Sequence, residues 1–298
     1  MKLRFENINK YFDDFHVLKD ISFEVDGGRI FGYLGRNGAG KTTSIRILMD
    51  VFEANEGNIT LDGEVFDSNK HKIGYLPEER GMYSKTTVKD QLVYFAMLRG
   101  ATRQEAMTSV NYWTQRFEVD HYLNRKLETL SKGNQQKIQI TQAFLNEPDI
   151  LILDEPFSGL DPVNSQLFQD ALIDYKREDR LIIFSSHQMS YVETFCDDIA
   201  IIDAGEIVLS GELETIKTEI GGNKIRIREK SGDLESYLND INMPFERDSI
   251  SYILELDDAY KQKDLVMGLL QSDIELDLLS SYKPSLHEIF VSKVGDSK

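Results

Sequence analysis

The sequence predicts an α/β fold with a mixed, largely parallel sheet, an antiparallel β part at the N-terminus, a helical insertion and a small C-terminal α+β domain. Three observations carry this. Strand-like and helix-like runs alternate along Ile150–Leu153, Asn164–Tyr175, Leu181–Phe184, Met189–Phe195 and Ile199–Ile202, as parallel strands joined by crossover helices require. An apolar run, Ile30, Phe31, Tyr33 and Leu34, leads into Gly35-Arg36-Asn37-Gly38-Ala39-Gly40-Lys41-Thr42 and then a helical run to Met49, which is a strand, a glycine turn and a helix. Beyond Gly221-Gly222 the pattern restarts with alternating Lys224-Ile225-Arg226-Ile227-Arg228, so a second domain is expected.

Taken in order, Leu3-Arg4-Phe5-Glu6 and Ile21 to Val25 read as short strands separated by turn signals at Asp13-Asp14 and Asp26-Gly27-Gly28. Asn58 to Leu61 and Ile73 to Leu76 continue as strands. From about Thr87 to Asn146 apolar residues fall at helical spacing, as in Leu92, Phe95, Ala96 and Leu98, then Ile138, Ile140, Ala143 and Phe144. This is the expected helical insertion. In the tail, Ser251–Leu256 and Ile274–Leu279 read as strands and Tyr260–Leu270 as a helix. The predicted domains are residues 1–220 and 221–298.

A chain of 298 residues with 41% hydrophobic and 29% charged residues supports a sizeable core in two domains. Its formal net charge of −17 repels a nucleic-acid partner, and none is expected. The single cysteine, Cys196, cannot form an intrachain disulfide, which fits a reducing compartment. The opening Met1-Lys2-Leu3-Arg4-Phe5-Glu6 is not read as a signal peptide, and no apolar stretch approaches the length of a membrane span. Action at a membrane would therefore run through a partner.

Residues 35–42 match G-x-x-x-x-G-K-[ST] in the strand–turn–helix context that the pattern needs. Glycines let backbone N–H groups approach phosphates, the helix N-terminus adds a partial positive charge, and Lys41 adds a full one. Thr42 offers a hydroxyl to Mg²⁺. Ile150-Leu151-Ile152-Leu153-Asp154-Glu155-Pro156 is an apolar strand that delivers two carboxylates to the C-terminal sheet edge, where open α/β sheets bind ligands. One carboxylate can hold Mg²⁺ and the next can orient or deprotonate an attacking water.

Further segments resemble the ATP-binding-cassette (ABC) ATPase family, in its order. Leu130-Ser131-Lys132-Gly133-Asn134-Gln135-Gln136-Lys137 resembles the signature segment, Ser158-Gly159-Leu160-Asp161-Pro162 the D-loop, and Phe184-Ser185-Ser186-His187 the switch-histidine segment. Ile73 to Glu78 resembles the loop that normally carries a glutamine. Phe12, beside Tyr11 and followed by Val17, takes the place of the aromatic that stacks on adenine. The resemblance covers about residues 1–220 and implies a P-loop NTPase cassette. It implies ATP contacts at Tyr11, Phe12, Val17 and Gly35 through Thr43, a block that includes Asn37, Gly38, Ala39 and Gly40. It implies Mg²⁺ at Thr42, Asp154 and Glu78, and catalysis by Glu155 and His187. Ser131, Lys132, Gly133, Asn134 and Asp161 are implied to reach the nucleotide of a second copy or of a homologous subunit. Taken by itself, Ser131 is equally an ordinary helix cap.

Departures from the family pattern are Arg36 in place of proline, Lys132 and Asn134 in the signature, and Glu78 in place of glutamine. The run Pro77-Glu78-Glu79-Arg80, the Ser-Lys-Gly-Asn signature and the ending Lys283 to Phe290 are similar to bacterial sodium- and drug-efflux subunits. The resemblance therefore implies an ATPase at the cytoplasmic face of the cell membrane that drives efflux through a separate integral-membrane permease. Two other readings fit less well. Ribosome- or DNA-acting relatives carry two cassettes or a long coiled coil, and this acidic chain shows neither. A nucleotide switch without turnover sits poorly with an intact Glu155 and His187.

Overall fold

The computed structural model describes residues 1–78, 81–256 and 262–295. Its Cα packing divides the chain into two compact units at Leu213/Glu214.

In the first unit, β1 (Lys2–Phe12) and β2 (Phe15–Asp26) form a long hairpin, followed by β3 (Ile30–Leu34), α1 (Lys41–Leu48), β4 (Glu56–Leu61), β5 (Glu64–Val65) and β6 (Ile73–Leu76). The helical insertion is α2 (Val88–Leu98), α3 (Arg103–Arg116) and α4 (Lys132–Phe144). After it come β7 (Ile150–Asp154), α5 (Pro162–Tyr175), β8 (Leu181–Ser186), α6 (Met189–Phe195), β9 (Asp198–Asp203) and β10 (Glu206–Glu212). Two sheets result. One is antiparallel in the order β2-β1-β4-β5; the other runs β10-β9-β3-β8-β7-β6, parallel except for β10 at its edge. Strands β3, β7 and β8 are buried along their whole length, which is why they read as continuous apolar runs rather than alternating ones. Leu3, Phe5, Ile8, Ile21, Phe23 and Val25 of the hairpin share a core with Phe31, Tyr33, Ile45, Leu48, Ile152 and Ile183. That shared core fixes the glycine turn after β3 against the antiparallel sheet.

Helix α4 is also locked in place. An ideal Cβ on Gly74 of β6 would lie 2.1 Å from the Ala143 carbonyl oxygen, so only glycine lets α4 pack this close. Helix α3 starts in a capping box between Thr102 and Glu105. Helix α4 starts at Lys132, where the Ser131 hydroxyl caps it and Gly133 is tolerated in the first turn.

The second unit comprises α7 (Leu213–Gly221), β11 (Lys224–Ser231), α8 (Leu234–Asp240), β12 (Phe245–Asp248), β13 (Ser251–Glu255), α9 (Gln262–Gln271), β14 (Glu275–Ser281) and α10 (Leu286–Val294). The order β-α-β-β-α-β gives an antiparallel sheet β12-β13-β11-β14 of the split-βαβ kind. Ile225, Ile227, Leu234, Leu238, Leu254, Leu265 and Leu269 form its core. The three strands expected here become four among the described residues. Phe245-Glu246-Arg247-Asp248 is too polar to announce itself and is recruited by pairing with β13. Tyr260, the expected start of α9, lies outside the described residues, as do Glu79 and Arg80. No helix among the described residues is long and apolar enough to cross a membrane.

Candidate nucleotide site

The parallel sheet brings four segments that are distant in sequence to one edge. Leu34 pairs with Ser186, Asp154 with Ser185 and Leu76 with Leu153. The chain therefore leaves β3 into the glycine turn, β7 into Asp154-Glu155, β8 into Ser186-His187 and β6 into Pro77-Glu78 at neighbouring positions.

In the glycine turn, Arg36, Asn37 and Gly38 are exposed while Gly35, Ala39, Gly40 and Lys41 are buried. Gly40 caps α1 with φ 117° and Gly38 has φ 81°, both in the left-handed region. Nothing lies within 4 Å of a Cβ built on Gly38, so the turn presents bare backbone to an open side. Lys41 Nζ donates to the Gly35 carbonyl at 2.7 Å and to the Arg36 carbonyl at 3.3 Å, folding the ammonium back over the turn. Burial lowers the Lys41 pKa, and the charges of Glu155, Asp154 and Glu78 oppose that shift. Thr42 and Thr43 are half-buried in the first turn of α1.

Asp154 is only 2% exposed. Its Oδ1 accepts the Ser185 hydroxyl, and its Oδ2 is buried with no hydrogen-bond partner. Burial raises its pKa, with the Ser185 bond opposing and the Glu78 and Glu155 charges adding to the rise. An orphaned, buried carboxylate oxygen is costly unless a cation or donor completes it. The donor set of Asp154, the Thr42 hydroxyl and Glu78 suits Mg²⁺, which binds through one or two carboxylates with phosphates and water supplying the rest.

Glu155 has φ 51°, a left-handed backbone rare for a non-glycine residue, and is buried. Its Oε1 accepts the His187 backbone N–H at 2.8 Å and lies 2.7 Å from His187 Nδ1, while Oε2 accepts the Ser186 hydroxyl at 3.1 Å. The strained backbone aims the carboxylate at the turn after β8, and three contacts hold it there. The His187 side chain is 56% exposed.

Tyr11 and Phe12 end β1, at the hairpin tip, and both rings are exposed. Tyr11 stacks on His16 at 4.0 Å, whereas Phe12 stands edge-on to Phe52 at 5.4 Å with Lys10 Nζ 5.2 Å from its centroid. Val17 is half-buried against the core that carries α1.

The second expected group gathers around the start of α4. Ser131 Oγ accepts the Asn134 N–H at 3.4 Å, and Asn134 Nδ2 donates to the Tyr122 hydroxyl at 3.0 Å. Lys132 is exposed. A Cβ on Gly133 would lie 3.3 Å from the Gly159 carbonyl oxygen, so the signature turn abuts the D-loop. Asp161 caps α5 by accepting the Asn164 N–H at 2.9 Å. Gln136, one turn into α4, donates to the Pro156 carbonyl at 3.0 Å and ties this group to the turn after Glu155. Gln136 and Ser186 fall within the signature and switch-histidine segments, but the resemblance assigns neither a role; their contacts with Pro156 and Glu155 come from the packing.

The chain is similar to known proteins over nearly all of its length. Residues 18–158 match the ABC transporter family, and residues 211–294 match the C-terminal domain of DrrA1-3-like ATP-binding proteins. It is 39% identical to the uncharacterized ABC transporter ATP-binding protein YhaQ of Bacillus subtilis (strain 168), over 98% of both chains. The chain belongs to the ABC transporter ATP-binding family. This ABC subunit is also 31% identical to the linearmycin resistance ATP-binding protein LnrL of the same organism, over 98% of both. A solved ATP-binding subunit of an ABC transporter superposes with a TM-score of 0.68 at 29% identity, covering 74% of this chain and 94% of that one. The ABC subunit is accordingly an ATP-binding ATPase that powers transport, of a kind that works with membrane permeases.

Proposed function

We propose that this subunit binds ATP with Mg²⁺ along the edge formed by β3, β6, β7 and β8, and hydrolyses it while paired with a second cassette. The observation that carries this reading is Glu155, a buried carboxylate held by Ser186 and His187 beside an open glycine turn. Backbone N–H groups from Gly38 to Thr43 and the Lys41 ammonium bind the phosphates. Phe12, with Tyr11 and Val17 beside it, takes the adenine. Thr42, Asp154 and Glu78 would hold Mg²⁺, whose chemistry is to neutralise charge on the phosphates. Glu155 accepts a proton from water as the water oxygen bonds to the γ-phosphorus. The bond from that phosphorus to the bridging oxygen breaks, and ADP leaves with the electron pair. His187 holds the γ-phosphate and Glu155 together.

Ser131, Lys132, Gly133, Asn134 and Asp161 gather around the signature turn and the D-loop, and we take them to meet the nucleotide of a partner copy or of a homologous subunit. Similarity to a linearmycin resistance protein and to a DrrA-like C-terminal domain supports export. The subunit would sit at the cytoplasmic face of the cell membrane, attached through its permease. Residues 1–220 supply the chemistry, and residues 221–298 form an accessory domain without chemistry of its own.

Sizing of Glu155→Gln with ATP and Mg²⁺ tests the pairing. A dimer is expected, and Ser131→Arg should abolish it while monomer ATP affinity stays nearly unchanged. A dimer that persists with Ser131→Arg removes the signature turn from the interface.

A further inference from the structure

The Glu155 carboxylate is held by Ser186 and His187 from the end of β8, and the backbone that carries it is held separately. Glu155 has φ 51°, and a left-handed non-glycine residue persists only where its surroundings over-determine it. On the strand side, its N–H donates to the Ser185 carbonyl at 2.9 Å. On the far side the chain turns through Pro156 and Phe157, and the Ser158 N–H donates to the Glu155 carbonyl at 3.2 Å. Phe157 is buried, and its ring stacks on Tyr191 with centroids 4.0 Å apart. Pro156 has no N–H, so its carbonyl is the one backbone polar group by which this residue can be held.

That carbonyl accepts Gln136 Nε2 at 3.0 Å. The donor comes from α4, a helix of the insertion, and both Gln136 and Pro156 are buried. Gly133, in the first turn of the same helix, brings its own Cβ position within 3.3 Å of the Gly159 carbonyl oxygen. The start of α4 therefore grips the stretch after Glu155 near both of its ends. The proline ring fixes φ at Pro156, so its ψ is the one soft dihedral between the bonded carbonyl and the Glu155–Pro156 peptide. A displacement of α4 relative to β7 must break the hydrogen bond or pull on the Glu155 backbone.

Building on the reading that Glu155 takes the proton from water, we propose that Gln136 is a positioning residue for Glu155. Through the Pro156 carbonyl it makes the aim of the carboxylate depend on the seat of α4, the helix that starts at the signature turn. In this role Gln136 needs no contact with the reacting atoms, and its N–H donor matters more than its volume. Without the donor the Pro156 carbonyl is left buried and short of a partner, and the left-handed backbone of Glu155 loses a restraint. A misplacement of about 1 Å at a reacting group costs up to about a hundredfold in rate. Nucleotide binding rests on the glycine turn and does not draw on this bond.

The test is a double-mutant cycle on the full chain assembled with its membrane partner. Gln136→Met keeps the length of the side chain and removes the donor. Gln136→Leu is a second variant without the donor, and thermal unfolding checks that each is folded. In the otherwise unaltered protein, kcat for ATP should fall at least about tenfold while KM stays within about threefold. In a Glu155→Gln background, residual turnover is followed by phosphate release over long incubations. There the same change should cost less than about twofold, because a residue that acts through Glu155 has nothing left to position. A kcat within about threefold of the unaltered protein overturns the proposal. Equal losses in both backgrounds also overturn it, since a loosened α4 would slow both, and they leave Glu155 standing as the base. Near-normal turnover by Glu155→Gln alone refutes the base and this proposal with it.

Discussion

His187 Nδ1 lies 2.7 Å from Glu155 Oε1, and the same oxygen accepts the His187 backbone N–H at 2.8 Å. One residue thus holds Glu155 twice, once through its backbone N–H and once through its half-exposed side chain. His187→Ala removes only the second contact, and Ser186 with the backbone N–H keeps the carboxylate in place. Turnover should fall by about a hundredfold or more, while ATP affinity stays within about threefold. Phosphate release and nucleotide titration on the purified protein separate the two. Unchanged turnover would make His187 a bystander.

Gly74→Ala tests the packing that seats α4. The added Cβ would meet the Ala143 carbonyl oxygen at 2.1 Å, and a helix backbone cannot step aside cheaply. Overpacking of this kind costs about 1–3 kcal/mol, or roughly 2–4 °C of melting temperature per kcal/mol in a unit of this size. Thermal unfolding that matches the unaltered protein would mean that α4 yields more easily than this close contact implies.

Asp161 has its pKa held below the ordinary 3.8, first by the Asn164 backbone N–H and then by the Asn164 side chain. A depressed carboxylate contributes stability above its unfolded pKa and loses it as pH falls through the folded value. Asp161→Ala should therefore melt lower than the unaltered protein at neutral pH, and the gap should close as pH drops below about 3.8. A gap that stays constant into acid would show that the charge of the cap is irrelevant.

Much of this architecture was legible because period and punctuation were strong. Strands β3 and β6 fall where their apolar runs end at Leu34 and Leu76, and the glycine turn announced α1. The tail was less legible. Phe245–Asp248 forms a strand only because β13 offers it a partner, although the S-x-x-E pattern at Ser285 and Glu288 that caps α10 stands in the sequence. At the site, motif order placed Asp154, Glu155 and His187 on one edge. The left-handed backbone of Glu155, the unpartnered Asp154 Oδ2 and the Gln136 tie to Pro156 are properties of three-dimensional packing. No pattern in the sequence encodes them.

The central claim is that Glu155 takes the proton from the attacking water, and Glu155→Gln tests it most directly. Glutamine keeps the size of the side chain and can still contact Ser186 and His187, but it is a far weaker base. The decisive measurement is ATP turnover by this variant, assembled with its membrane partner, set beside its ATP affinity. The account predicts affinity close to the unaltered protein and turnover reduced at least about a hundredfold. Near-normal turnover with affinity retained would contradict it, and the base would have to be sought elsewhere on the edge.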